Sequence, residues 1–237
     1  MSGIGEYAMV LAAGLGMRMR PLTDTRPKPL IEVRGRALID YAFDRLRAAG
    51  VRKAVVNVHY LADQIIAWSK RQTSPVIEIS DERAEILDTG GGIALALPRL
   101  GREPFFVLNS DSFWIDGKLP ALRRLRAAWD ADRMDCLLLL CPLERTVGYD
   151  GKGDFAMGPD GRLARRKDSA ATALVYAGCY LVDPRLFRDA PAGKFSMNLL
   201  WDRAIARGRL FGLVHDGKWI HVGTPEAIAG AEAALAE

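Results

Sequence analysis

Two short stretches near the start of the chain carry residue types suited to phosphate chemistry. The first is LAAGLGMRMRPLT, Leu11 to Thr23, and the second is the Pro27–Lys28–Pro29 tripeptide just beyond it. Small residues Ala12, Ala13, Gly14 and Gly16 follow an apolar run, so a ligand can approach the backbone closely there, and successive N–H groups in such a bend form an anion-binding concavity. The stretch lacks the Lys–Ser/Thr ending of a P-loop and the third glycine of a dinucleotide fingerprint. It offers arginine instead: Arg18 and Arg20 supply guanidinium forks for phosphate oxygens, and two prolines hold Lys28 at a fixed place.

Other candidates are scattered along the chain. Leu87–Asp88–Thr89–Gly90–Gly91–Gly92 at a helix start gives either a tight turn or a bare surface for a flat base or sugar ring. Asn109–Ser110–Asp111 closes an apolar strand, where Asp111 either caps the next turn or offers oxygen to a hard cation such as Mg²⁺. Gly153–Asp154–Phe155, Tyr176–Ala177–Gly178 and the run from Trp219 to Pro225, with His221, interrupt strand-like runs. Trp201 and Trp219 read as packing residues.

These residues need a scaffold. Tyr7–Ala12, Lys53–Val58, Val76–Ser80, Phe105–Leu108 and Cys136–Leu140 read as strands. Helical patterns over Leu38–Ala49, Ala62–Arg71, Gly91–Leu97 and Lys118–Trp129 lie between them. That alternation predicts an α/β fold with a mostly parallel sheet flanked by helices. Five glycines between Gly148 and Gly161 predict hairpins laid over the sheet. Strands over Ala173–Val182, Leu210–Val214 and Trp219–Val222, with helices over Ser196–Arg207 and Pro225–Leu235, complete the pattern. No repeat or linker divides the 237 residues, which predicts one domain over 1–237, with halves at about 1–142 and 143–237.

Composition is ordinary for a soluble globular protein, 49% hydrophobic and 26% charged. The net charge of +4 comes without a Lys/Arg block interleaved with aromatics, which argues against nucleic acid as partner. No run reaches the length of a membrane span, and the start has no basic leader pattern. Cys136, Cys141 and Cys179 sit in apolar runs and read as buried reduced thiols, so a cytoplasmic location is expected.

Together these motifs resemble the sugar-nucleotide pyrophosphorylases, nucleotidyltransferases that join a nucleoside triphosphate to a sugar 1-phosphate. The family hallmark LAAGxGxRMxPLT followed by PKP is met in full, and the likeness continues through TGGG, Asp111, Gly153–Phe155 and the final VGTP. The resemblance implies a Rossmann-like (GT-A-like) sheet with hairpin insertions over the site. The length is similar to that of members without a C-terminal left-handed β-helix, the uridylyltransferases acting on N-acetylmuramate 1-phosphate in peptidoglycan recycling. It therefore implies UTP and that sugar phosphate as substrates, in a monomer or small homo-oligomer. Mannose- or heptose-1-phosphate guanylyltransferases are the alternative, as is a non-catalytic nucleotide-sugar sensor.

Carried over by position, the resemblance makes Arg18, Lys28 and Asp111 catalytic. Ala12, Ala13, Gly14, Gly16, Met17, Arg18, Lys28, Thr89, Gly90 and Asn109 would bind the nucleotide, and Asp154 and Gly178 the sugar. Mg²⁺, or Mn²⁺ in its place, would sit at Asp111. The family's second metal carboxylate is replaced here by His221, a weaker ligand for Mg²⁺. Arg162, Arg165, Arg166 and Lys167 form a basic run that either meets an acidic group on the sugar or is a solvated turn.

Overall fold

The computed structural model describes residues 3–166 and 173–236. Its strands are β1 (Tyr7–Leu11), β2 (Glu32–Val33), β3 (Arg36–Ala37), β4 (Lys53–Val58), β5 (Val76–Asp81), β6 (Phe105–Asn109) and β7 (Ser112–Ile115). They continue with β8 (Cys136–Pro142), β9 (Thr146–Val147), β10 (Phe155–Met157), β11 (Leu163–Arg165), β12 (Leu174–Val182), β13 (Leu210–Val214) and β14 (Lys218–His221). The helices are α1 (Leu38–Ala48), α2 (Ala62–Ser69), α3 (Asp88–Leu100), α4 (Ala121–Ala128), α5 (Met197–Ala206) and α6 (Ala227–Ala234).

The large sheet runs in the order β11-β10-β12-β6-β1-β4-β5, with β8 on β12 and β13 on β8. Strands β6, β1, β4 and β5 are mutually parallel, while β12 joins β6 and β8 antiparallel. The sheet is thus mixed, as the β-α-β alternation followed by closer-spaced strands requires.

Both faces are covered. Along β1, Ala8 and Val10 turn to one side, where Phe43, Leu46, Ile65 and Trp68 from α1 and α2 pack; Met9 turns to the other, against Ile93, Ala96 and Leu100 of α3. A third cluster, with Met19, Leu38, Phe113, Ile220 and Ala231, joins a small sheet (β7-β14-β9) to α6. No helix among the described residues is long and apolar enough to cross a membrane.

Three elements differ from the sequence reading. The helix expected to end at Leu97 reaches Leu100, because Ile93, Ala96 and Leu100 share one buried face that carries it past Pro98. Strand β7 escaped notice because its partner β14 lies over a hundred residues away, pairing Ser112 with His221. The 148–161 glycines do lead to a hairpin, β10-β11, but it extends the large sheet through Phe155↔Leu174 rather than lying over it. All three cysteines are free and buried, and burial pushes the Cys141 thiol up to about 11.

Candidate active site

Parallel pairing of β6, β1, β4 and β5 brings their carboxyl ends to one edge, which is where open α/β sheets bind ligands. Leu11 pairs with Asn109, and Asn57 with Ser80, so Ala12, Asn57, Glu82 and Asp111 all emerge at that edge.

The backbone of the glycine-rich bend is fixed at both ends. Ala12 donates its N–H to Asn57 Oδ1 at 2.7 Å, and Asn57 Nδ2 donates to Glu82 Oε1 at 2.8 Å. Farther on, Gly16 takes φ +64°, and a Cβ there would fall 2.9 Å from Thr23 Cγ2 and 3.1 Å from Lys28 Cβ. Thr23 Oγ1 donates to the Gly16 carbonyl at 2.8 Å and closes the bend. Between these anchors, among the described residues, the N–H groups of Ala13, Gly14 and Leu15 have no protein acceptor. That is the geometry of an anion cradle. A single helical turn, Met17–Met19, follows and leaves Arg18 exposed.

Lys28 is only 9% exposed, and its Nζ donates to Asp111 Oδ2 at 2.8 Å. A buried ammonium requires such a partner. Burial works to raise the Asp111 carboxyl, but Lys28, His221 and Arg18 outweigh it and hold the group below the usual Asp value. His221 reaches this place through the β7-β14 ladder, and Val222 donates its N–H to the Asp111 carbonyl at 3.2 Å. Burial lowers the His221 imidazole below its ordinary value; Asp111 pulls the other way, and Lys28 and Arg18 add to the lowering. His221 is therefore neutral near pH 7. It stacks on Trp219, with ring centroids 5.5 Å apart.

The three glycines opening α3 are there for packing. A Cβ on Gly90 would lie 2.3 Å from Phe195 Cε2, one on Gly91 2.3 Å from the Gly193 carbonyl oxygen, and one on Gly92 2.6 Å from Glu82 Oε1. Gly90 and Gly91 also donate to the Phe195 carbonyl, at 2.9 and 3.1 Å. The close approach of α3 to the 193–195 segment and to the Asn57–Glu82 pair thus excludes side chains. Gly90 is buried there and is not among the residues lining either cavity. Thr89 does face the site, and its Oγ1 accepts the Met197 N–H at 2.9 Å.

Two adjoining cavities open along this edge. The larger, about 380 Å³, is lined by Ala12, Ala13, Gly14, Lys28, Asn57, Glu82, Thr89, Asn109, Asp111 and Lys194. The smaller, about 250 Å³, is lined by Asp154, Arg165, Tyr176, Ser196, Asn198 and Trp201. Leu11, Asp88, Thr89 and Asn109 belong to both and form their shared wall.

Most of the residues singled out in the sequence meet at these cavities. Gly16, Met17, Arg18 and His221 are not among the residues lining either cavity, though Arg18 and His221 are close enough to act on the Asp111 charge. Asp154 lines the smaller cavity and accepts the Tyr176 N–H at 2.8 Å. Gly178 lies underneath, at φ +71°, where a Cβ would fall 2.4 Å from Ser112 Oγ and 3.4 Å from Asn109 Cβ. Its place is to let β12 bulge under Asn109 between Tyr176 and Tyr180. Lys167 lies outside the described residues.

The sequence reading missed Asn57, Glu82, Lys194, Ser196 and Asn198. Asn57 carried a signal, since it is a polar residue near the carboxyl end of the apolar run of β4; Glu82 follows the mixed strand β5 and carried none.

A divalent cation fits this donor set only in company. Among the described residues no group of three His, Cys, Asp or Glu converges. Asp111 offers one carboxylate, ionised and with Oδ1 not engaged by Lys28, and the neighbouring imidazole is neutral. Mg²⁺ is commonly held by one or two carboxylates together with substrate phosphates and water, which suits a lone Asp111.

Residues 8–149 match the family described as MobA-like NTP transferase domain. The chain is 49% identical, over the full length of both, to N-acetylmuramate alpha-1-phosphate uridylyltransferase of Caulobacter vibrioides. It is 34% identical to the Neisseria meningitidis protein of the same name, over 94% of this chain and 98% of that one. Among solved structures, HddC from Yersinia pseudotuberculosis complexed with GMP-PN superposes with a TM-score of 0.75 at 23% identity, covering 97% of this chain and 99% of that one. A UDP-glucose pyrophosphorylase complexed with UDP-glucose gives 0.78 at 16% identity, covering 98% and 99%. The last two likenesses concern the fold.

Proposed function

Given that the chain belongs to the MobA-like NTP transferase family and is a sugar-1-phosphate nucleotidyltransferase, we propose that it joins UTP to N-acetylmuramate 1-phosphate. The products are UDP-N-acetylmuramate and pyrophosphate. The observation that carries this reading is the pair of cavities meeting at Leu11, Thr89 and Asn109, with Lys28 and Asp111 beside the junction.

The nucleotide takes the larger cavity, its triphosphate along the free N–H groups of Ala13 and Gly14 and its base toward Asn57 and Glu82. The sugar takes the smaller cavity, near Asp154 and above Gly178. A phosphate oxygen of the sugar 1-phosphate attacks the α-phosphorus in line. The bond from that phosphorus to the bridging oxygen of the β-phosphate breaks, and pyrophosphate leaves with the electron pair. The attacking phosphate is already ionised at pH 7, so no general base is needed.

Rate then comes from alignment and from positive charge placed where negative charge gathers. Lys28 and Arg18 supply that charge, and the Asn57 link to Ala12 keeps the cradle in shape. Mg²⁺ bound at Asp111 with phosphate oxygens, His221 alongside, would supply Lewis-acid polarisation of the phosphate. The half to about residue 142 serves the nucleotide and the half from 143 mainly the sugar. We place the reaction in the cytoplasm, in keeping with three free buried thiols.

The test is pyrophosphate release from UTP, GTP, CTP, ATP and dTTP with a panel of sugar 1-phosphates. The reading predicts the highest kcat/KM for UTP with N-acetylmuramate 1-phosphate. A clear preference for another pair would contradict it.

A further inference from the structure

We infer that Arg165 is the binding residue that reads the carboxylate on the sugar, an inference that rests on N-acetylmuramate 1-phosphate being the second substrate. The sequence offers a basic run at 162–167, and among the described residues the fold separates Arg162, Arg165 and Arg166. Arg162 pairs with Asp160 and donates Nε to the Gly208 carbonyl at 3.0 Å, with its guanidinium over Phe211. The Arg166 N–H donates to the Asp154 carbonyl, and Arg166 lines neither cavity. Arg165, on β11, lines the smaller cavity.

Its guanidinium is held on three sides. It lies over the Phe155 ring, 4.8 Å from the centroid, and 6.0 Å from that of Trp201. Nε donates to Asp202 Oδ1 at 2.7 Å, and Nη2 donates to Asn198 Oδ1 at 2.9 Å. Among the described residues Nη1 has no acceptor. Asn198 has its oxygen turned to Arg165, so its Nδ2 is left as a donor. Ser196 Oγ accepts the Asn198 N–H at 3.3 Å, so its own proton is free to donate. Nη1, Nδ2 and the hydroxyl belong to neighbouring residues of one cavity wall and are all donors.

A neutral sugar does not call for such a set, whereas a carboxylate does. The other charged residues lining this cavity are Asp88 and Asp154, with Asp202 behind Arg165. Both cavity carboxylates repel an entering acid. Arg165 is the one cation on this lining among the described residues, so within this cavity the lactyl carboxylate of N-acetylmuramate meets its counter-charge at that guanidinium.

The experiment compares kcat/KM, with UTP, for N-acetylmuramate 1-phosphate and for N-acetylglucosamine 1-phosphate, which lacks the lactyl ether. In Arg165→Met, which retains the aliphatic packing, kcat/KM for the muramate substrate should fall about 10- to 100-fold more than that for the glucosamine substrate. Arg165→Lys keeps the charge and loses the stacked fork, and should recover part of the preference. An unchanged ratio, or an equal fall for both sugars, overturns the assignment. Failure of the unmutated protein to use the muramate substrate at all would instead overturn the underlying reading, and this one with it.

Discussion

Lys28 Nζ stands 2.8 Å from Asp111 Oδ2, across 83 residues of sequence, with the two side chains 11% and 30% exposed. The pair joins the two motifs that the resemblance singled out, and it sets the chemistry of the site. The ammonium keeps the carboxylate ionised in a half-buried place, and it is fixed where a phosphate will arrive.

Removing either fixed cation should therefore strike turnover more than folding. Lys28→Met and Arg18→Ala are each expected to lower kcat by about 10²–10³, on the scale of single electrostatic donors in other enzymes. Steady-state pyrophosphate release measures this. An unaltered kcat in both variants would remove positive charge from the mechanism.

Asn57 is expected to matter twice. Asn57→Leu strands the buried Ala12 N–H and breaks the link to Glu82. Leaving such a donor unpaired costs about 1–3 kcal/mol, which denaturant unfolding will register. Because the cradle loses its anchor, KM for the nucleotide should rise more than kcat falls.

Glu82 gives a pH dependence with a definite sign. It is 2% exposed, and burial raises its carboxyl above the ordinary value, against opposing hydrogen bonds from Asn57 and the Leu87 N–H. The folded protein therefore keeps this proton to higher pH than the unfolded chain. The group's contribution to stability falls as pH rises through the ordinary glutamate range and on through its folded value. Glu82→Gln cannot ionise. Its stability relative to the parent should grow as pH rises above the ordinary glutamate range and shrink again as pH falls back through it, as followed by urea unfolding at each pH. A constant difference across that range would show that folding leaves the carboxyl's pKa unchanged.

His221→Asp restores a second carboxylate beside Asp111. The neutral imidazole gives Mg²⁺ no charge, so the variant should reach half-maximal rate at a lower Mg²⁺ concentration. Titration of the rate with Mg²⁺ checks this. A higher requirement would assign the histidine a role of its own.

Much of this site was legible in the sequence because its parts are local. The bend from Leu11 to Thr23 and the Lys28 tripeptide specify backbone conformation and charge within a few residues, and strand-end Asp111 followed from the apolar run before it. What escaped depends on distant pairing. Nothing near Asn57 shows that its oxygen will meet the Ala12 N–H, and nothing near Ser112 announces a ladder to His221.

The glycines from Gly90 to Gly92 show the other limit. Their small size was plain, but the reason for it lies in the side chains of Glu82 and Phe195 and the backbone at Gly193, which a linear pattern does not bring together. The same holds for Gly178, whose positive φ serves a bulge beneath Asn109.

The most direct test of the account is pyrophosphate release with UTP and N-acetylmuramate 1-phosphate, alone and together, in Mg²⁺. Release that requires both substrates, yields stoichiometric UDP-N-acetylmuramate and collapses in Lys28→Met is the predicted result. Tight UTP binding with no release under any pairing of nucleotide and sugar phosphate would contradict it.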